Sequence, residues 1–209
     1  MRSEPPRADA DLAKPGELKL DFVTPRLALR PVSVDDLEDV WPWVSDPAFP
    51  RFMSWRAHVD RDETRAILKA TAEQVASGVA LHWSIVHEGK AVGRISLEAI
   101  EWRKRALRLD RAELGYWMAP PLWGQGLMTE AAQAVIRFGF EAVGLHKIVV
   151  RCFAENEASR RVIEKCGFRL VGRMEDDIWR DGTWHAHLLF EMLRSEHDDT
   201  TSTRRFVRK

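Results

Sequence analysis

Residues 112–130 read A-E-L-G-Y-W-M-A-P-P-L-W-G-Q-G-L-M-T-E. The first half favours a strand that stops at the two prolines, because proline cannot donate a hydrogen bond to a sheet. A pair of glycines follows, and from Leu127 apolar residues recur at three- and four-residue spacing as far as Gly144. This spacing predicts a long amphipathic helix that ends at a glycine cap. The sequence therefore predicts a strand, a glycine loop and a helix N-terminus in direct succession.

The glycine loop has the properties of a binding site for a phosphorylated ligand. The first N–H groups of a helix have no partner in the chain, and the helix dipole places positive charge there. Gly124 and Gly126 let a bulky anion approach the backbone without meeting a Cβ. No Lys-Ser/Thr pair follows and the third glycine of a dinucleotide fingerprint is missing, so neither common nucleotide loop is present. A glycine turn without a ligand is the alternative.

A second segment, residues 146–168, reads H-K-I-V-V-R-C-F-A-E-N-E-A-S-R-R-V-I-E-K-C-G-F. Its first eight residues are mostly apolar and rich in strand formers, which predicts a buried strand. Asn156 is a good N-cap for a following helix, and Gly167 is a good residue to end it. The order is therefore strand, glycine loop with helix, strand, helix.

This order resembles the acetyl-coenzyme A-binding half of the GNAT superfamily of N-acetyltransferases. W-G-Q-G-L-M-T-E-A, with E-L-G-Y-W-M before it and N-E-A-S-R-R-V-I-E-K-C-G-F after it, is similar to the RimJ/RimL-type branch, which includes enzymes that acetylate the N-termini of ribosomal proteins. T-P-R-L-A-L-R-P at residues 24–31 is similar to the first strand of that branch. The resemblance covers residues 20–193. It implies an α/β fold in which a central twisted mixed sheet of about seven strands is flanked by about four helices.

The resemblance implies acetyl-coenzyme A as co-substrate and no metal. In this fold the central strand separates from its neighbour and pairs its backbone with the pantetheine arm, while the glycine loop holds the pyrophosphate. Carried over residue by residue, the arm contacts Tyr116, Trp117 and Met118. The loop and first helical turn contribute Gly124, Gln125, Gly126, Leu127, Met128 and Thr129, the last through its hydroxyl. Asn156 is a further candidate contact to the arm.

Acetyl transfer also requires that the acceptor amine lose its proton. Glu113 matches an acidic position common in this branch, and we predict that it is the general base, acting through water. A structural polar role is the alternative for every candidate. The other candidates by chemistry are Glu98, His82, His185 and His187.

The departing thiolate must be stabilised as well. Many superfamily members use a tyrosine seven residues after the asparagine cap, and that position is Ile163 here. The residue that matches the alternative used in this branch is Ser159, in the first turn of the predicted helix. A hydroxyl there can donate to sulfur where the helix dipole already favours negative charge. Local capping by Ser159 is the competing interpretation.

Composition limits the other function classes. The chain has 32 basic and 32 acidic residues, so no strong field favours nucleic acid or a membrane surface. We find no apolar run long enough for a transmembrane helix and no signal-peptide core at the N-terminus. Cys152 and Cys166 provide no disulfide framework and are predicted to be reduced core thiols. We expect a cytoplasmic monomer or homodimer.

The remaining elements can be assigned along the chain. We expect a disordered tail over residues 1–18, an acetyltransferase domain over residues 19–194 and a polar tail over residues 195–209. A helix is predicted over residues 33–44, bent near Pro42, with Val34, Leu37, Trp41 and Val44 inward, and another over residues 60–77. The other expected elements are strands over residues 81–86, 91–97, 168–174 and 184–192, and a basic connection over residues 101–110.

The acceptor is the open question. A protein or peptide N-terminal amine is the leading candidate, a small amine such as an antibiotic or amino acid is the second, and a non-catalytic acetyl-coenzyme A sensor is a third. The chain has nine tryptophans. Four of them cluster before the cofactor half, in the region that usually forms the acceptor groove of this fold. Core packing is the alternative role for those four, which are Trp41, Trp43, Trp55 and Trp83.

Overall fold

The computed structural model describes residues 18–198, and within them the chain forms one mixed sheet of eight strands. The strands are β1 (Phe22–Val23), β2 (Ala28–Pro31), β3 (Leu81–His87), β4 (Lys90–Lys104), β5 (Leu107–Met118), β6 (Lys147–Phe153), β7 (Arg169–Arg180) and β8 (Thr183–Leu193). Their spatial order is β1-β2-β3-β4-β5-β6-β8-β7. Among these neighbours only β5 and β6 are parallel. The predicted mixed sheet is confirmed, with a two-residue strand added at its edge.

The α-helices are α1 (Leu37–Val44), α2 (Arg61–Ser77), α3 (Leu127–Phe138) and α4 (Glu157–Cys166). Two buried apolar clusters hold them to the sheet. One joins α3 and α4 to the central strands, and the other joins α1 and α2 to the sheet around Trp117. Because side chains alternate along β5, Trp117 faces away from Leu114 and Met118. The two helix pairs therefore cover opposite faces.

Local capping explains where α2, α3 and α4 begin and end. Asp60 accepts a hydrogen bond from the Glu63 N–H at 2.8 Å, so the predicted start of α2 is confirmed. The Glu63 carboxylate accepts from the Val59 N–H at 2.6 Å instead of from the cap residue. A π-helical turn, Gly139–Val143, continues α3. Gly144 after this turn and Gly167 after α4 adopt left-handed backbone angles, with φ of 88° and 94°, as a glycine that ends a helix requires.

Two predictions about local structure are wrong. The first is the basic connection, since β4 continues to Lys104 and turns directly into β5, where Arg103 faces Arg108 across the ladder. The exposed end of this hairpin is rich in charged residues, which obscure the alternation that marks a half-buried strand. The second is the inward set of the first helix. Val34 is 42% exposed because a 3₁₀ turn precedes α1 and rotates it outward.

The helix α1 also differs from the prediction at its end. Pro42 lies inside α1, which continues to Val44, so the helix does not break at this proline. Leu37, Val40 and Val44 form its buried face, while Trp41 is half-buried. The predicted tails lie mostly outside the described residues, although 194–198 form a helical turn.

The strands β5 and β6 separate at the centre of the sheet. They pair only between residues 111–113 and residues 147–149. Beyond Glu113 and Val149 no pairing joins them, so the later halves of both strands border a cleft. Within the described residues no helix is long and apolar enough to cross a membrane.

Candidate active site

A cavity of about 1010 Å³ occupies the cleft between β5 and β6 and extends to both sheet faces. Glu113 and Ser159, the predicted catalytic residues, both line it. So do all but one of the predicted cofactor contacts, namely Tyr116, Trp117, Met118, Gly124, Gly126, Leu127, Met128, Thr129 and Asn156. The exception is Gln125, whose side-chain amide donates to the Pro121 carbonyl at 3.1 Å.

The glycine loop leaves the start of α3 open to a ligand. Gly124 and Gly126 have φ of 76° and 77°, a left-handed conformation that side chains rarely adopt. Gly126 is the N-cap of α3, and no side chain caps the helix there. The first N–H groups of α3 are therefore available to an anion, and the residues fit a pyrophosphate.

Hydrogen bonds among Thr24, Arg26 and Glu130 form a brace that supports this loop, and it was not predicted from the sequence. Glu130, in the first turn of α3, accepts hydrogen bonds from the Thr24 hydroxyl at 2.6 Å and from Arg26 Nε at 2.7 Å. Arg26 also donates to the Gln125 carbonyl at 3.0 Å. Partial burial alone would raise the pKa of Glu130, but the bonds from Thr24 and Arg26 outweigh it and lower that pKa. The Thr-Pro-Arg turn thus fixes the loop to the helix.

On the α4 side of the cleft two hydroxyl groups meet. Tyr116 Oη lies 2.9 Å from Ser159 Oγ, and Asn156 Oδ1 accepts from the Ser159 N–H at 3.0 Å. Burial raises the pKa of Tyr116 far above its usual value, so the phenol keeps its proton. The family resemblance predicts a role for the backbone of Tyr116. No local sequence pattern predicts that its hydroxyl contacts Ser159, which is 43 positions away.

On the opposite side of β5 two carboxylates face each other across the β4–β5 ladder. Glu98 and Glu113 are register partners. Glu113 Oε2 accepts from Arg151 at 2.5 Å, and Glu98 Oε1 accepts from the Ser96 hydroxyl at 2.7 Å. A Cβ at Gly115 would lie 3.7 Å from Glu98 Oε1, so this carboxylate reaches over the strand segment predicted to hold the arm.

The three histidine candidates are placed differently. His187 lines the cavity, with its Nδ1 at 2.9 Å from Asp177 Oδ2, whereas His185 does not line it. His82 is buried between β3 and α2, with Nε2 at 3.1 Å from Gln74 Oε1 and Nδ1 at 3.7 Å from Glu98. Burial, reinforced by the positive charge of Arg94, lowers the pKa of His82 to about 4, although Glu98 opposes the shift.

The two cysteines are poor nucleophiles. Burial raises the pKa of Cys152 to about 11 and that of Cys166 to about 12. Both thiols are therefore protonated near neutral pH, although Cys152 lines the cavity. Within residues 18–198 no group of three or more His, Cys, Asp and Glu side chains is arranged to hold a metal ion.

Aromatic side chains form a large part of the cavity wall, from the α1–α2 connection to Trp123 beside the glycine loop. Those that line it are Phe49, Phe52, Trp55, Trp117, Trp123 and Phe153. Of the four tryptophans considered from the sequence only Trp55 belongs to this wall, since Trp83 is fully buried core. Arg180 of β7 bonds the Met53 carbonyl and lies 3.4 Å from that of Trp55, which closes the β7–β8 hairpin onto the α1–α2 connection.

Known proteins share this architecture and parts of this sequence. A family model described as an acetyltransferase (GNAT) domain matches residues 26–169. The uncharacterized N-acetyltransferase YnaD of Bacillus subtilis is 33% identical over 177 residues, which cover 85% of this chain and 99% of that protein. The ribosomal-protein-serine acetyltransferase of Escherichia coli is 27% identical over 143 residues, which cover 66% of this chain and 77% of that protein.

A solved structure agrees at the level of the fold. RimL, a ribosomal L7/L12 alpha-N-protein acetyltransferase in complex with coenzyme A, superposes with a TM-score of 0.74 at 23% identity and covers 82% of this chain and 96% of that one. The family model spans more than half of the sequence, and ribosomal-protein acetyltransferases are among the relatives. The chain therefore belongs to the GNAT superfamily and is an acyltransferase.

Proposed function

We propose that the protein transfers the acetyl group of acetyl-coenzyme A directly to the α-amine of a protein or peptide N-terminus. The observation that carries this proposal is the cavity, because it joins an anion-binding helix start to an aromatic-walled chamber through the cleft between β5 and β6. Cofactor and acceptor would enter from opposite ends and meet beside Glu113 and Ser159. Two free cysteines accord with a reducing compartment, so we place the reaction in the cytoplasm.

The reaction needs a proton acceptor on the side from which the amine arrives. Glu113, Gly115 and Trp117 share that face of β5 by strand alternation. We assign Glu113 as the base that takes the ammonium proton through a water molecule, with its second oxygen held by Arg151. Glu98 is the competing base, because it faces Glu113 and lies over Gly115. The amine nitrogen then attacks the thioester carbonyl carbon.

As the carbon–sulfur bond breaks, the electron pair goes to sulfur, the attacking nitrogen gives its surplus proton to solvent, and the thiolate accepts a hydrogen bond until it is protonated from solvent. Tyr116 points to the α4 side of β5, where its hydroxyl contacts Ser159. When the phenol donates to Ser159 Oγ, the serine proton is free to point at the sulfur. We therefore assign Ser159 as the donor to the departing thiolate and Tyr116 as the residue that orients it.

Two other functions are alternatives. A small amine would use the same chemistry and differ only in how it fills the aromatic chamber. A sensor would bind acetyl-coenzyme A without turnover, and it would need neither Glu113 nor Ser159. The paired hydroxyl groups and the facing carboxylates favour an enzyme over a sensor.

The test is a screen with free thiol release as the readout. A library of peptides with free N-termini is compared with a panel of small amines, both with acetyl-coenzyme A. We expect release with peptides and a new N-terminal acetyl group by mass spectrometry. Turnover confined to small amines would contradict the acceptor assignment, and tight cofactor binding without any turnover would favour the sensor.

A further inference from the structure

Arg94 is a cation in the acceptor half of the cavity that the proposed chemistry leaves unused. It lies on β4, opposite Ser84 of β3 and Trp117 of β5. Its side chain therefore points to the face covered by α1 and α2, and it lines the same cavity as Glu113. Burial lowers the pKa of Arg94, with Glu98 opposing, yet a guanidinium stays charged at working pH.

The charge of Arg94 is barely compensated by the protein. Among the residues that the structure describes, its one hydrogen-bond partner is the Thr71 hydroxyl, at 3.3 Å, and no carboxylate lies within 4.0 Å. A guanidinium offers five N–H donors in a fixed fork, and a buried charge without a partner is costly. None of its nitrogens is a sealed atom without a partner. Arg94 lines both the active-site cavity and a smaller one of about 140 Å³ beneath α2, so its unused donors can reach a ligand in the larger cavity.

We propose that Arg94 binds a carboxylate of the acceptor, so that the preferred acceptors are amines that carry a carboxylate close to the amine. This inference rests on the proposed amine acetylation. A planar carboxylate matches the guanidinium fork through two parallel hydrogen bonds. A phosphate dianion fits less well, because Glu98 and Glu113 line the same chamber and would repel the second charge.

The spacing along β4 limits where the carboxylate can be. Ser96 pairs with Gly115, which lies between Glu113 and the strand segment predicted to hold the arm, and Arg94 is two residues further along the strand. Two residues span about 7 Å in a strand, and the guanidinium comes closer to Gly115 than this when its side chain bends toward the cleft. An acidic side chain at the first or second position of a peptide fits this distance, and so does a free amino acid with an acidic side chain.

The experiment uses pairs of acceptors that differ in one carboxylate. One arm compares peptide amides that begin Ser-Asp with those that begin Ser-Asn, and the other compares the α-amide of aspartate with the α-amide of asparagine. kcat/KM is measured by thiol release, and binding is measured by calorimetry on the protein saturated with coenzyme A. We expect about a tenfold preference for the carboxylate in at least one arm, equal to about 1.4 kcal/mol.

Arg94→Gln should reduce that preference to below about twofold in both readouts, with little change for the amide partner. Arg65→Gln is the matched control, since Arg65 is exposed on α2 and pairs with Asp62. Equal use of acid and amide by the unmodified protein, or a preference that survives Arg94→Gln, would overturn the inference. A calorimetric preference without turnover on any amine would support the carboxylate site and contradict the proposed acetylation.

Discussion

At the scale of single residues, Gly126 combines an unusual backbone conformation with an open helix start. Its φ of 77° is strained for any residue with a Cβ, and more so for a β-branched one. A valine there would also place two methyl groups where the pyrophosphate is proposed to approach. We predict that Gly126→Val weakens acetyl-coenzyme A binding by at least about tenfold, or 1.4 kcal/mol, as measured by calorimetry.

The control for backbone strain is Gly89→Val. Gly89 has φ of 80° in the β3–β4 turn, and nothing lies within 4 Å of where its Cβ would be. Both variants should lose a similar amount of stability, whereas only the loop variant should lose cofactor affinity. Unchanged affinity in Gly126→Val would remove the glycine loop from the cofactor site.

Loss of the Ser159 hydroxyl should change turnover and leave cofactor affinity nearly unchanged. Its bond to sulfur would strengthen only as negative charge develops, so its loss affects the transition state more than the ground state. We predict that Ser159→Ala lowers kcat by about tenfold to a hundredfold and leaves acetyl-coenzyme A affinity within about twofold. Tyr116→Phe should lower kcat in the same direction by less, because the serine remains but loses its orienting partner.

Pre-steady-state measurement of thiol release with a confirmed acceptor checks this. If Ser159→Ala and Tyr116→Phe both keep full turnover, the hydroxyl pair is structural and the hydrogen-bond donor to sulfur lies elsewhere.

At the scale of elements, the Thr-Pro-Arg turn before β2 supports the start of α3. Arg26 contacts both Glu130 and the glycine loop, so its loss should loosen the loop without removing any backbone donor. We predict that Arg26→Ala weakens acetyl-coenzyme A binding about fivefold, roughly 1 kcal/mol. Arg61→Ala is the control, since Arg61 forms a similarly exposed pair with Glu38 far from the loop. Equal affinities in the two variants would contradict the brace.

The junction of α2, β3 and β4 should make stability depend on pH. The pKa of His82 is near 6.5 in the unfolded chain and near 4 when the ring is buried beside Arg94. Because the folded pKa is depressed, its contribution is complete above about pH 6.5 and is lost as the pH falls toward 4. The full loss is up to about 3 kcal/mol.

Chemical denaturation between pH 7 and pH 4.5 measures this contribution, and His82→Gln isolates it. The unmodified protein should lose more stability over this range than the variant does. Parallel curves for the two proteins would show that His82 does not carry the pH dependence.

Elements with local signals were predictable, and contacts between distant elements were not. Asp60 caps the start of α2, Gly144 ends the π-helical turn that continues α3, and Gly167 ends α4, so periodicity and capping located these helices. The bond from Thr24 to Glu130 joins residues 106 positions apart, and no local pattern encodes it. The outer part of the β4–β5 hairpin, residues 101–110, was missed because its many charged residues obscure the alternation that marks a strand.

At the scale of the whole molecule, the α/β fold and the cofactor side of the cavity could be predicted because the glycine loop and the Asn156 helix form a specific pair of motifs. The acceptor end could not, since its wall combines the α1–α2 connection with β5 and the β7–β8 hairpin. Those elements come together only through tertiary packing. The sequence also left the general base open between Glu98 and Glu113. Only the pairing of β4 with β5 shows that the two carboxylates face each other.

One comparison separates direct transfer to an amine from transfer through an acetylated cysteine. Thiol release and acetylated product are measured with a confirmed N-terminal peptide for the unmodified protein, for Glu113→Gln and for a variant in which Cys152 and Cys166 are both alanine. We predict that the cysteine variant keeps the chemical step with ternary-complex kinetics. Glu113→Gln should lose rate at neutral pH and recover part of it as pH rises, because free amine needs no base. An acetylated cysteine with ping-pong kinetics, or a bound cofactor with no acetylated amine in any protein tested, would contradict the account.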